Sequence, residues 1–150
     1  MFHRPLLWLF LLVCSSCSNF PADPQSTLKR VKREGSFRVG LVASTYRVTA
    51  DPKVHGLLHS LGQQVEASPK VVEGEADVLL TKLEAGELDL VVGRFQKKTP
   101  WARMVTIGPP LRLIRDGRNE FILAPAAPNG ENAWIAVIER IARDLSPEAQ

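Results

Sequence analysis

Two short, nearly unrelieved apolar runs do most to restrict what this chain can fold into: 37–42 (FRVGLV) and 88–92 (LDLVV). A strand with one wet face alternates polar and apolar residues, whereas a strand covered on both faces reads as a continuous run of branched apolar residues. Each run follows a helical pattern that ends at a glycine. Residues 27–33 start behind Ser26, a suitable N-cap, and stop at Gly35; residues 75–85 (EADVLLTKLEA) turn Val78, Leu79 and Leu83 inward and stop at Gly86. Between them, Val54, Leu57, Leu58, Leu61 and Val65 recur at helical spacing through 52–67, and Val71 and Val72 mark a short strand. Helix alternating with buried strand predicts one α/β domain on a mostly parallel sheet flanked by helices. After Gly93 the pattern loosens. Residues 105–107 and 121–124 read as strands on either side of Pro109 and Pro110, and 133–145 close the chain as an amphipathic helix carrying Trp134, Val137, Ile138, Ile141 and Leu145 on one stripe.

The first residues address the compartment. Arg4 supplies a short basic segment and 6–13 (LLWLFLLV) an apolar one less than half of the roughly 20 residues a membrane-spanning helix needs. This is the pattern of a removable signal peptide, 1–16. The two cysteines of the chain, Cys14 and Cys17, both lie at its end, so the folded part carries no thiol. A cysteine behind small residues and an apolar run resembles a bacterial lipobox. Cys17, preceded by Ser15 and Ser16, is the better candidate for lipidation; Cys14 is preceded by the bulkier Val13, and ordinary secretory cleavage near Ser16 is the alternative. Residues 17–25, with Pro21 and Pro24, read as the lipidated N-terminus and tether, 26–145 as the domain and 146–150 as a tail. The expected place is the periplasmic side of a bacterial membrane, with Ser18 after Cys17 favouring the outer one.

Charge narrows the partners. The whole chain has 19 Lys and Arg against 16 Asp and Glu, and loss of Arg4 with the signal peptide brings the two closer. The basic residues are spread from Lys29 to Arg143 with few aromatics among them, which gives no footprint for nucleic acid. No nucleophile elbow, phosphate loop or dinucleotide fingerprint occurs, so no enzyme function and no cofactor are expected. His55 and His59 stand four apart on a predicted helix, but the glutamate of a zinc helix motif and a third ligand are missing, so no metal is expected either. Asp89 inside a strand run reads as a structural hydrogen-bonding residue.

Several segments in order resemble the family 3 extracellular solute-binding proteins of polar amino acid transporters: LKRVKREGSFRVGLV, EADVLLTKLEAGELDLVVGRF, TPWARMVTIGPPL and ENAWIAVIERIARDL. The resemblance implies a type II periplasmic-binding-protein fold, but members have two lobes. Here only 111–129 separate Gly108, Pro109 and Pro110 from the closing helix, too few residues for a second lobe. One lobe with an open half-site is implied, and with it weak affinity unless a partner or a second copy supplies the other wall. From the resemblance, Ser44, Thr45 and Tyr46, beyond the first strand, supply hydroxyl and aromatic contacts to ligand. Arg103, or Arg94 directly after the third strand, pairs with a ligand carboxylate. Thr99 and Trp101 complete the candidate site; Trp101 either stacks on ligand or packs on the sheet.

Three readings of function follow. The first is a membrane-tethered solute-binding-like lipoprotein for a small polar or carboxylate-bearing solute such as an amino acid, with an ABC transporter permease as partner. The second is a ligand-free interaction module for an envelope protein, which a sizeable exposed apolar patch on the former lobe interface would favour. The third is a regulatory lobe for a cell-wall enzyme, which binding of peptidoglycan fragments would support.

Overall fold

A computed structural model describes residues 23–44 and 46–147 of the 150-residue chain. The expected signal peptide, Cys14, Cys17 and Thr45 lie outside the described residues. The elements follow one another as α1 (Thr27–Glu34), β1 (Ser36–Val42), α2 (Pro52–Val65), β2 (Ser68–Gly74), α3 (Ala76–Glu84), β3 (Leu90–Gln96), β4 (Val105–Ile107), β5 (Arg112–Asp116), β6 (Asn119–Pro128) and α4 (Asn132–Leu145). Strands β2, β1 and β3 run parallel in that spatial order; β6 returns antiparallel beside β3, with β4 and β5 both on its far side. The chain is a single α/β lobe on one six-stranded sheet, flanked by helices on both faces.

The core lies in two layers. Val39, Leu41, Leu90, Val92 and Leu123 point to one face, where Val31 of α1, Leu57 and Leu61 of α2, and Trp134 and Ile138 of α4 cover them. Val42, Val91, Phe95 and Ala124 point to the other, under Leu79, Leu80 and Leu83 of α3. Both faces of β1 and β3 are therefore dry, which is why their sequences lack alternation. Val78, expected inward, is 54 % exposed, and Leu80 takes its place. Ala76, Leu79, Leu80 and Leu83 form the i, i+3, i+4, i+7 stripe, and Val78 falls on the far side of it.

Capping departs from the local rule as well. Ser26 adopts a left-handed φ of 50° and makes no side-chain cap. The buried Glu131 caps α1 instead: its carboxylate accepts from Gln25 N at 2.6 Å and Thr27 N at 2.7 Å. Asp23 returns the service, its Oδ1 accepting from Ala133 N at 2.8 Å at the start of α4. Each carboxylate satisfies orphan amides at the positive end of the other helix.

Asp89 is structural, as expected. Buried ahead of β3, its carboxylate accepts from Arg38 N at 2.7 Å, from Arg38 Nε at 3.1 Å and Nη2 at 2.6 Å, and from Arg30. Its carbonyl accepts from Trp134 Nε1 at 2.6 Å, and the Trp134 ring meets Phe37 edge-on at 5.8 Å. The buried charge is thus paired on every side, the condition under which it can be retained.

Candidate functional site

Residues β1, β2 and β3 end at one edge of the sheet, the carboxyl edge where open α/β sheets place ligands. The loop after β1 builds itself from short-range bonds. Ser44 Oγ donates to Tyr46 O at 2.6 Å, a 3-10 turn spans Val48–Ala50, and Asp51 then caps α2 by accepting from Lys53 N at 2.8 Å. Pro52 fits behind it, since the first helical residue needs no amide. The second oxygen of Asp51 accepts from the Tyr46 hydroxyl and from Arg112 Nε at 3.1 Å. Burial alone pushes the Asp51 carboxyl up, yet hydrogen bonds from Tyr46, the Lys53 amide and Arg112 outweigh it and hold the group below its ordinary range. Burial, and then the bond to Asp51, push the Tyr46 hydroxyl up.

Arg94 lies inside β3, not after it, because the strand continues to Gln96. Arg94 and Arg112 both pair with Leu123, one from each side of β6, so the two stand in one row on the α2 face. The Arg94 guanidinium carbon sits 4.0 Å from the centre of the Phe121 ring, and its Nη1 is 3.5 Å from Asp116 Oδ2. Gly93 beside it is required by close approach: a Cβ there would come within 2.6 Å of Val42 Cγ2.

The expected site residues divide into three groups. Ser44, Tyr46 and Arg94 share the carboxyl edge. Thr99 and Trp101 lie on the α3 side, where Thr99 Oγ1 accepts from Trp101 N at 3.4 Å and Trp101 Nε1 donates to Asp77 Oδ1 at 3.1 Å. The Trp101 ring packs on the α3-side core, the bland alternative of its two readings. Arg103 is exposed, and its carbonyl accepts from Asn129 Nδ2 at 3.3 Å, just past the end of β6. Since β6 runs against β3, that point is at the amino edge of the parallel strands, opposite Ser44 and Arg94. Asp51, Arg112 and Phe121 join the carboxyl-edge group unforeseen. Only a reading of β5 as a strand, which its alternation in RLIRD allows, would have found Arg112.

Hairpin β5–β6 takes up most of the segment 111–129. Asp116 pairs with Asn119 across a two-residue turn in which Gly117 takes φ 59°, a conformation open to glycine. The chain turns back on itself there. An open groove of about 420 Å³ lies between α2 and the start of β2, lined by His59, Gly62 and Pro69 among others. The groove near the hairpin, about 40 Å³, is lined by Lys97, Leu113, Arg115 and Glu120 among others. Neither groove includes Ser44, Tyr46 or Arg94; Ser44 is exposed, and Tyr46 and Arg94 are half-buried. His55 Nε2 lies 2.8 Å from Thr49 O, and among the described residues no three His, Cys, Asp or Glu gather as metal ligands would.

No family model matches the sequence, and no curated protein sequence does either. Solved structures do match. The arginine-bound form of domain 1 of ArgBP from T. maritima superposes with a TM-score of 0.64 at 17% identity, over 77% of this chain and 98% of that one. The chain is one lobe of the type II periplasmic-binding-protein fold. An amino acid ABC transporter substrate-binding protein from Streptococcus pneumoniae, bound to L-arginine, superposes on the lobe at 0.66 and 9% identity, over 83% and 93% of the two chains. AncCDT-1, an ancestral amino acid-binding protein named as a precursor of cyclohexadienyl dehydratase, gives 0.62 at 11%, over 81% and 94%. The neighbours are mainly binding proteins, and at these identities the likeness carries the fold alone.

Proposed function

We propose that this lobe is a membrane-tethered, solute-binding-like lipoprotein whose carboxyl edge receives a small polar or carboxylate-bearing solute such as an amino acid. The observation that carries the reading is Arg94, held in β3 over Phe121 beside the Ser44 and Tyr46 loop, at the edge where this fold class takes its ligands. Guanidinium suits a carboxylate because its fork matches two oxygens. The amino-acid-binding neighbours support the same class of solute. Lipidation at Cys17 would tether the lobe through the segment entering at Asp23, on the periplasmic side of the membrane, and an ABC permease is the partner such a role implies. Its role is binding, not catalysis.

The interaction-module reading has one observation in its favour, that neither groove described above includes Ser44, Tyr46 or Arg94. Against it, the large exposed apolar residues, Val71, Val72, Val78, Met104 and Leu113, are scattered over several elements, and only Leu113 belongs to the hairpin. The deciding experiment is a thermal-shift screen of the soluble chain, residues 18–150, against amino acids, small carboxylates and muropeptides. A hundredfold excess over the dissociation constant stabilises the folded state by about 2.7 kcal/mol. The expected result is a saturable shift that Arg94→Ala abolishes and Arg103→Ala leaves intact. No shift at millimolar ligand would sink the solute-binding reading and leave the interaction module.

A further inference from the structure

We infer that the carboxyl edge is built for a ligand with two carboxylates, gripped by Arg94 from β3 and Arg112 from the hairpin. This rests on the solute-binding reading and narrows it. The two arginines flank Leu123 in one row across β3, β6 and β5, which puts their Cα atoms roughly 10 Å apart, two strand spacings, on the same face. Arg112 is fixed to Asp51 through Nε and also meets the Tyr46 hydroxyl, and its side chain is 42% exposed. Arg94 is held face-on by Phe121, and its ion pair to Asp116 is long, 3.5 Å, and reaches a carboxylate that is itself 67% exposed. Both guanidiniums are therefore positioned by the protein and partly exposed to solvent, Arg94 at 23% and Arg112 at 42%.

An ammonium group finds less. Asp51 is buried and already accepts from three donors, so an incoming cation would have to displace Tyr46, the Lys53 amide or Arg112. The Ser44 hydroxyl is turned onto Tyr46 O. The exposed Asp116 lies beside Arg94. The ligand class that fits is a short dicarboxylate.

The test is titration calorimetry on the detergent-purified full-length chain with succinate, acetate and L-arginine. Succinate is expected to bind at least about tenfold more tightly than acetate, the return on one additional charge-assisted pair, and to weaken as salt is raised. Arg94→Gln and Arg112→Gln should each bring succinate down to the level of acetate, while Arg103→Gln changes neither. If Arg112→Gln fails to fold, Arg94→Gln carries the comparison. Succinate binding no tighter than acetate overturns the inference. L-arginine binding without succinate also overturns it and leaves the amino-acid reading standing; silence from all three ligands removes both.

Discussion

Asp51 shows how much one side chain organises here, since it caps α2, fixes Tyr46 and anchors Arg112 from β5. Its carboxyl is held below the ordinary range of about 3.9 because those bonds outweigh burial. A depressed folded-state value means the unfolded chain binds the proton more readily as pH falls. The stabilisation is therefore complete above the ordinary carboxylate pKa and is lost as pH drops through the lower folded value. Asp51→Asn should cost about 1–3 kcal/mol near neutrality and flatten the acid limb of the stability curve, measured by urea unfolding between pH 3 and 7. An acid limb as steep as that of the parent chain would show that other carboxylates control it. The sequence shows Tyr46 only as a loop aromatic, because its hydroxyl is fixed by Asp51 and Arg112, partners whose proximity depends on a strand pairing and not on spacing along the chain. Asp89 was legible for the opposite reason. An acid inside a dry strand run must be paired, and Arg30 and Arg38 supply the pairs.

At the scale of elements, periodicity located the helices, and the errors came where tertiary partners replace local ones. Residues 75–85 contain more apolar residues than one face can hold, so the stripe had to be chosen, and burial chooses Leu80 over Val78. Leu80→Ala should cost about 2–5 kcal/mol, as for other fully buried leucines, whereas Val78→Lys should stay within about 0.5 kcal/mol, both read from denaturant midpoints. Equal costs would mean that α3 is rotated from the orientation described. Helix α1 carries the same lesson. Ser26 has the right side chain at the right place, but Glu131, more than a hundred residues away, caps the helix with two amides on one buried carboxylate. Glu131→Ala should therefore destabilise by about 2 kcal/mol, at the upper end for a lost cap, while Ser26→Ala should change stability by only a few tenths. Strand β5 went unread because it is short, exposed and polar at both ends, and its pairing with β6 alone defines it.

For the molecule as a whole, the order of the elements was legible because helix and dry strand alternate from α1 to β3. The closure of the lobe was not, since it depends on a single hairpin turn at Gly117 that pairs β5 with β6. Closure leaves the two core layers joined by one sheet, whose central strands β1 and β3 contribute side chains to both. Neither layer can lose its packing without exposing the other's strands, so the lobe should unfold as one cooperative unit. Two tryptophans of the described residues report on the two sides separately. Trp134 is fully buried among α1, α2 and α4, and Trp101 packs on the α3 side. Trp101→Phe leaves Trp134 as the domain's fluorophore, and Trp134→Phe leaves Trp101. In a urea titration each variant's fluorescence midpoint should coincide with its own far-UV circular dichroism midpoint. Trp134→Phe should shift both midpoints down together, because it removes the hydrogen bond to Asp89 O and part of the contact with Phe37. Loss of the Trp101 signal ahead of the circular dichroism would instead show that the α3 layer opens on its own, and the sheet would then be a scaffold for two independent cores.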